Sequence, residues 1–493
     1  YERASTTVLN AYLTPVMDQY LGSLVAMLED GDRGLGLAAG TPVMVMEAAG
    51  GLMTVPSARA NPVRTVLSGP AGGVVASSHV AGLLGIKNII TMDIGGTSTD
   101  ISLIRAGRPE ITRQAELERI PIRMPAIDIN GIGAGGGSIA WIDDGGALRV
   151  GPTSAEAVPG PACYGLGGTQ PTVTDANVVL GRLGGQTRLG GDMLLDIAAA
   201  ERAVSEDIAK PLGLELVEAA AGILRVAHSN IVRGIRVVSV ERGYDPREFT
   251  LVPFGGAGPM QGTPIARDLG ISKLLIPPSP GILCALGQLV SDLRHDLLET
   301  QIGPLEAFSM ERATAIITRL SDRGNELLAA DHIPPERRRI DMQVDMRYIG
   351  QSYELAVPLD FRRDGEWEGL AVKFHAVHEQ RFGHADPDAP IEVVGFAMTA
   401  VGEIESPVLP ELPKGGEKPA DSAGAGNRRI CYESEFAANT WYDVPVYQRE
   451  GLLAGNAIQG PAVIEEVSAT TVLYPGDRAV VHGSGSLIVE VGA

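Results

Sequence analysis

Hydrophobic and polar positions change period several times along this chain, and each change predicts an element. Val8, Leu9, Tyr12, Leu13, Val16, Met17, Tyr20, Leu21 and Leu24 recur at helical spacing, so residues 1 to 30 open with a long amphipathic helix that needs a surface to pack on. Thr41 to Glu47 then alternates, a strand running into the turn Gly50-Gly51. Ser68-Gly69-Pro70 starts a helix reaching about Leu84, whose free amides could face an anion or simply pack closely. Two short β-branched runs, Ile89 to Ile94 and Thr99 to Ile104, flank a glycine turn and form a hairpin. Residues 193 to 243 hold two helices, the second running from Leu224 through His228 to Val240. A short buried strand, Phe249 to Phe254, then delivers Gly255-Gly256-Ala257-Gly258-Pro259 into a helix starting near Met260. From about Ile302 a helix precedes the period-two strand Ile340 to Tyr348. The runs after residue 428, punctuated by Pro475-Gly476 and Gly483-Ser-Gly485, read as a small β-barrel or sandwich.

Length turns this series into several domains. At 493 residues the chain exceeds one core, and the pattern divides into a helix and strand segment at 1–85 and an α/β domain at 86–300. An α+β domain at 301–405, a proline-rich linker at 406–428 and a small β-rich domain at 429–493 follow. Hydrophobic residues make up 44% and charged ones 20%, which excludes a disordered chain. A net charge of −20 argues against a general nucleic-acid or anionic-membrane surface, so any phosphate site must be local and built mainly from backbone amides. No apolar run approaches the roughly eighteen residues of a membrane span. Cys163, Cys284 and Cys431 are widely spaced and form neither a zinc pattern nor a disulfide framework, which fits a cytoplasmic protein. Tyr1 in place of methionine suggests a start inside a longer gene product.

Candidate chemistry centres on the hairpin turn. Gly95 and Gly96 let backbone N–H groups approach phosphate oxygens, Thr97, Ser98 and Thr99 add hydroxyls, and Asp93 can hold hydrated Mg2+. An ordinary glycine hairpin is the plainer alternative. Gly135, Gly136 and Gly137 with Ser138 bring backbone close to something, for which a nucleotide is a candidate and a bulged hairpin the alternative. Gly255, Gly256, Ala257 and Gly258 lie between strand and helix, an arrangement that admits a base or ribose. Cys163 invites a nucleophile reading against that of an inert core thiol. His375, His378, Glu379 and His384 lie on one helix near its end, where metal binding competes with a solvated face, since the order is not His-Glu-x-x-His.

Taken in order, Asp93-Ile-Gly-Gly-Thr-Ser-Thr-Asp100, Gly133-Ala-Gly-Gly-Gly-Ser138, Pro159-Gly-Pro-Ala-Cys-Tyr-Gly165, Thr172-Val-Thr-Asp-Ala-Asn177, Phe254-Gly-Gly-Ala-Gly-Pro259 and Pro280-Gly-Ile-Leu-Cys-Ala-Leu-Gly287 resemble the hydantoinase A/5-oxoprolinase family. Asp345-Met-Arg-Tyr-Ile-Gly-Gln351, Phe374-His-Ala-Val-His-Glu379 and Gly460-Pro-Ala-Val-Ile-Glu465 extend the resemblance over nearly the whole chain. It implies an α/β core of the actin, sugar-kinase and Hsp70 kind (ribonuclease H-like), with Asp93 to Thr99 as the second phosphate loop and Phe254 to Pro259 on the adenosine side. It further implies ATP, Mg2+, a small cyclic amide such as a hydantoin, oxoproline or lactam, a hydantoinase B-like partner subunit and an oligomer. Phosphorylation of the amide oxygen prepares ring opening by water. Relatives that carboxylate ketones supply one alternative, and a truncated, inactive partner-binding chain supplies another. Three departures stand out: no first Asp-Gly-Gly-Thr loop precedes Tyr1, Gln261 stands where relatives often carry histidine, and Glu47-Ala48-Ala49 lacks the family's polar pair.

Overall fold

The computed structural model describes residues 2–31, 34–38, 40–113, 115–117, 120–184, 188–361, 367–432 and 440–492. They divide into two units, each assembled from separate stretches. The first comprises Tyr1–Ser68, Ile111–Ala126 and Gln288–Ser406, the second Gly69–Glu110, Ile127–Gly287 and Pro407–Ala493.

Runs that are apolar at nearly every position demand burial on both faces, and in the second unit they build a nine-stranded mixed sheet. Its principal strands are β1 Ile89–Ile94, β2 Thr99–Arg105, β3 Ile129–Ile132, β4 Thr250–Phe254, β5 Lys273–Ile276, β6 Ala457–Gln459, β7 Arg478–Val481 and β8 Leu487–Glu490. They stand in the order β3-β2-β1-β4-β5-β8-β7-β6, with the short strand Arg108–Pro109 beside β2. β1, β2 and β3 form an antiparallel meander, whereas β4 runs parallel to β1 and β5 parallel to β4. Ile90, Met92, Ile101 and Leu251 join Ile231 and Ile235 of the helix Leu216–Val238 in one core.

The end of the chain departs from the expected separate β-rich domain at 429–493. β8 pairs antiparallel with β5, which would otherwise leave the apolar run Leu274-Leu275-Ile276 as an open sheet edge. Gly424–Tyr432, Thr440–Gln448, Ala462–Glu466 and Ala469–Leu473 form a further four-stranded sheet. Its Ile430, Val444, Val463 and Val472 share a core with the helices Val173–Val179 and Leu216–Val238. The expected linker is pinned too, since Leu412 N–H donates to the Gly483 carbonyl at 2.7 Å.

The first unit is a six-stranded sheet in the order Met44–Met46, Leu52–Thr54, Leu293–Pro304, Ile391–Gly402, Arg338–Tyr348, Leu355–Leu359. Met342 lies opposite Met398 and Val344 opposite Phe396, so all four share the face covered by the helices Met310–Ala330 and Leu370–Phe382. The opening helix Glu2–Glu29 meets its expectation in extent but not in burial. Leu21 packs with Met53, Val55 and Ala58, while Val8 and Tyr12 remain 68% and 77% exposed.

Glu47 is fully buried in this unit. Arg64 Nη2 lies 2.7 Å from Glu47 Oε2, off the line of a hydrogen bond, and Arg294 Nε stands 3.7 Å from Oε1. Burial pushes the Glu47 carboxyl up to about 7, the two arginines opposing the rise and Asp296 adding to it. Between its ordinary value of 4.5 and about 7 the native state therefore holds this proton more tightly than the unfolded chain does. The stabilisation is complete at low pH and is lost as pH rises through the folded value. Glu47→Gln should consequently gain stability relative to wild type between about pH 5 and pH 8, read from urea midpoints. A difference that does not change with pH would contradict this account.

Candidate functional site

Three glycine-bearing segments meet in the second unit. β1 and β2 are in register from Ile89 opposite Ile104 to Ile94 opposite Thr99, which sets Asp93 directly across from Asp100 on one face of the sheet. Gly95 N–H donates to the Ser98 carbonyl at 3.0 Å and closes the turn. Beyond it Gly96 and Thr97 are exposed, and among the described residues the Gly96, Thr97 and Ser98 amides make no hydrogen bond. Three N–H donors at the tip of a rigid hairpin form a concavity suited to an anion.

The second segment is a brace for this turn. Gly136 N–H donates to the Gly95 carbonyl at 2.9 Å and Gly137 N–H to the Gly96 carbonyl at 2.6 Å. Gly135 N–H donates to Ser138 Oγ at 2.8 Å, and Thr99 Oγ donates to the Ala134 carbonyl. A Cβ on Gly135 would lie 2.8 Å from Gly96 C, so the close approach expected of these glycines is to the hairpin backbone. Thr174 fixes the loop from behind, giving both its N–H and its hydroxyl to the Gly136 carbonyl. That residue sits in the first turn of the helix Val173–Val179, whose capping box joins Thr172 and Asp175.

The third segment is the bend after β4. Parallel pairing places Phe254 beside Asp93, and Ala257 N–H donates to the Ile94 carbonyl at 3.0 Å. Gly255 takes a φ of 77°, and a Cβ there would lie 2.3 Å from Asp93 Oδ1. A Cβ on Gly136 would come within 3.8 Å of the Ala257 methyl and 3.7 Å of the Gly95 carbonyl oxygen, so all three segments touch at one place. The helix Gly258–Leu269 leaves from here with no side-chain cap at Ala257, which leaves its first-turn amides available to an anion.

The electrostatics of this corner are uncompensated. Burial raises the Asp93 carboxyl, while a hydrogen bond from Cys284 Sγ to Oδ2 at 3.5 Å pulls it back. Burial, and then the Asp93 charge, pushes Asp100 up to about 6. No basic side chain contributes to either shift. Among the described residues no group of three or more His, Cys, Asp and Glu side chains is arranged to hold a metal ion. A desolvated carboxylate pair facing an anion cradle nonetheless suits a hard cation that keeps its waters and shares phosphate oxygens.

These two partners of Asp93 differ in how far the sequence shows them. Asp100 carried a signal, because a hairpin centred between Gly96 and Thr97 must set positions 93 and 100 face to face. Cys284 carried none, since it reaches Asp93 across 191 residues of chain.

The remaining candidates resolve into structure. Cys163 is fully buried, its N–H donates to Asp175 Oδ1 at 2.8 Å, and burial, then Asp175, drives its thiol far above the ordinary range. Burial, then Asp93, pushes Cys284 up to about 12. Neither thiol is a nucleophile at neutral pH. Iodoacetamide at pH 8 should leave both unmodified over a period that fully alkylates the urea-unfolded chain, as peptide mass mapping would show. Rapid labelling of Cys284 would refute its pairing with Asp93. His378 is buried rather than on a solvated face; it contacts Gln351 at 3.1 Å and the His384 carbonyl at 2.7 Å, and His375 bonds the Tyr348 hydroxyl. Gln261 meets buried His228 through a hydrogen bond between Oε1 and Nε2.

Comparison with known proteins adds to this geometry. The profile described as hydantoinase/oxoprolinase matches residues 3–297, and that of the hydantoinase/oxoprolinase C-terminal domain matches residues 307–485. The caprolactamase subunit alpha of Pseudomonas jessenii is 38% identical over 99% of this chain and 69% of its own length. The crystal structure of the ATP-dependent caprolactamase from that organism superposes with a TM-score of 0.88 over 100% of this chain and 71% of its own. The 5-oxoprolinase of Saccharomyces cerevisiae is 31% identical over 98% of this chain, which spans 38% of that protein. Nucleotide-free acetone carboxylase, 28% identical, superposes with a TM-score of 0.74 over 91% of this chain and 64% of its own.

Proposed function

Because this chain belongs to the hydantoinase/oxoprolinase family, we propose that it is the ATP-using subunit of an enzyme that opens cyclic amides. The observation that carries this reading is the meeting of three unspent turn amides, an uncapped helix start and an unpaired Asp93–Asp100 couple in one corner. Gly95 to Thr99 cradle the triphosphate, Gly255 to Gly258 take the adenosine side, and Gly135 to Ser138 hold the cradle in shape. The meander β3-β2-β1 beside parallel β4 supports an actin-like core, because it places both glycine bends at one end of the sheet.

In the reaction the amide oxygen attacks the γ-phosphorus of ATP. That O–P bond forms as the bond to the β-phosphate oxygen breaks, and ADP leaves. Water then adds to the activated carbon, the C–N bond opens as the ring nitrogen takes up a proton and leaves as the amine, and a second water cleaves the resulting acyl phosphate to carboxylate and inorganic phosphate. Asp93 and Asp100 would hold a hydrated Mg2+, which would supply charge neutralisation on the phosphates. Turn amides stabilise charge on the transferring group, so positioning does most of the chemistry. A hydantoinase B-like partner in the cytoplasm completes ring opening, in keeping with cysteines Cys163, Cys284 and Cys431 that form no disulfide among the described residues.

ATP turnover by the assembled enzyme, assayed with a lactam panel and separately with acetone plus bicarbonate, tests the proposal. Stimulation by a lactam alone supports it. Stimulation only by ketone with bicarbonate transfers the chain to the carboxylase reading, which its likeness to acetone carboxylase favours. Absence of both, together with no calorimetric heat from Mg-ATP, leaves a chain that only binds a partner.

A further inference from the structure

The face of the first unit's sheet turned away from its helices carries a different chemistry. Asp296, Thr399 and Asp341 form one cross-strand row and Leu298, Ala397 and Gln343 the next. Ala397, the smallest of these, leaves a hollow between longer neighbours. Ile111, Arg113, Arg123, Met124 and Pro125 join this face in lining a cavity of about 330 Å³. Its lining mixes the charged side chains of Arg113, Arg123, Arg294, Asp296, Asp345 and Glu354 with apolar ones such as Ile111, Met124 and Leu298.

The charged groups pair with one another but leave one acceptor over. Arg113 Nη1 pairs with Asp345 Oδ2, and Arg123 Nη2 pairs with Glu354 Oε1. Asp345 is only 4% exposed, yet its Oδ1 has no hydrogen-bond partner. Burying a carboxylate oxygen without a donor is expensive, and such an oxygen on a cavity wall calls for a cationic donor from outside the chain. Arg113 spends one nitrogen on Asp345, and a guanidinium carries five N–H donors in a fork that matches a carboxylate. Equal numbers of arginines and carboxylates at this end disfavour a simple anion, and the arginines disfavour a metal ion.

We propose that this cavity binds a zwitterionic α-amino acid with an apolar side chain. Its ammonium meets Asp345 Oδ1, its carboxylate meets Arg113 and Arg123, and its side chain lies over Leu298 and Ala397 beneath Ile111 and Met124. Adjacent opposite charges on the wall require adjacent opposite charges on the ligand, which selects an α-amino acid over one with distant ends. The Asp345-to-Gln351 motif thereby acquires a role that the nucleotide corner does not give it. The proposal does not rest on the nucleotide reading.

Calorimetry on the full chain with L-leucine, isocaproate, isoamylamine and ε-aminocaproate tests it. Saturable heat is expected with leucine, with affinity at least about tenfold weaker for isocaproate and isoamylamine, each of which lacks one charged group. Asp345→Asn should weaken leucine at least about tenfold and leave isocaproate unchanged. Ala397→Leu, which fills the hollow and keeps every charge, should abolish leucine binding with little change in melting temperature. Asp93→Asn should bind leucine as wild type does, so a failed nucleotide site leaves this result standing. No heat with leucine, equal affinity for isocaproate, tighter binding of ε-aminocaproate, or wild-type leucine binding by a folded Ala397→Leu would each overturn the proposal.

Discussion

Asp93→Asn lowers Mg-ATP turnover of the assembled enzyme by at least about a hundredfold while the chain stays folded, with an unchanged or higher melting temperature. Both halves of that result follow from one feature. The Asp93 carboxylate is partly desolvated, faces Asp100 and, among the described residues, takes its side-chain hydrogen bond from the Cys284 thiol, so ionising it costs stability. Asparagine keeps the volume and removes the charge. On the proposed function, what disappears is the carboxylate that would hold the counter-ion against the triphosphate, which in transfer chemistry built on positioning is a large share of the rate. A residue whose removal stabilises the fold and silences the reaction is one retained for function. Turnover and calorimetric melting on the same preparation test both halves. Undiminished turnover would remove Asp93 from the reaction, and a large fall in melting temperature would make it a structural residue instead.

Gly255→Val should cost about 3 kcal/mol or more and abolish the rise in melting temperature that Mg-ATP gives the wild type. The backbone at Gly255 has a φ of 77°, a conformation that costs a side-chain-bearing residue about 1–2 kcal/mol. The new Cβ would also stand 2.3 Å from Asp93 Oδ1 and 2.5 Å from the Ile94 carbonyl oxygen. Because one of those atoms is backbone in the central strand β1, the bend must move away, and the bond from Ala257 N–H to Ile94 must lengthen or break. Gly256→Ala is the matched control. Its φ lies outside the left-handed region and its nearest neighbour, the Ser468 carbonyl oxygen, is 3.7 Å away, so stability should change by less than about 0.5 kcal/mol. Denaturant midpoints with and without Mg-ATP separate the two. Equal behaviour of both variants would show that the bend does not lean on β1.

The sequence carried the hairpin, its turn and the acid at the end of its first strand. Those features are local: period-two burial, glycines between β-branched runs and the two-residue symmetry of a hairpin are all set by neighbours in the chain. The strand–glycine–helix unit around Gly255 was legible for the same reason. Other features are decided by contacts between residues far apart. Gly135 to Gly137 look like a ligand loop in one dimension, and only the fold shows the Gly136 and Gly137 amides given to the Gly95 and Gly96 carbonyls. The terminal strands alternate like a small independent sheet, yet the open edge of β5 captures β8 some two hundred residues later because an unpaired apolar edge is costly. His378 shares a helical face with His375 in the sequence pattern but is buried by packing against Tyr348, Phe374 and Phe382. Periodicity and turn chemistry report how a segment folds on itself; which groups share a dielectric and which glycine meets which carbonyl depend on long-range packing, whose partners leave no mark at the residue itself.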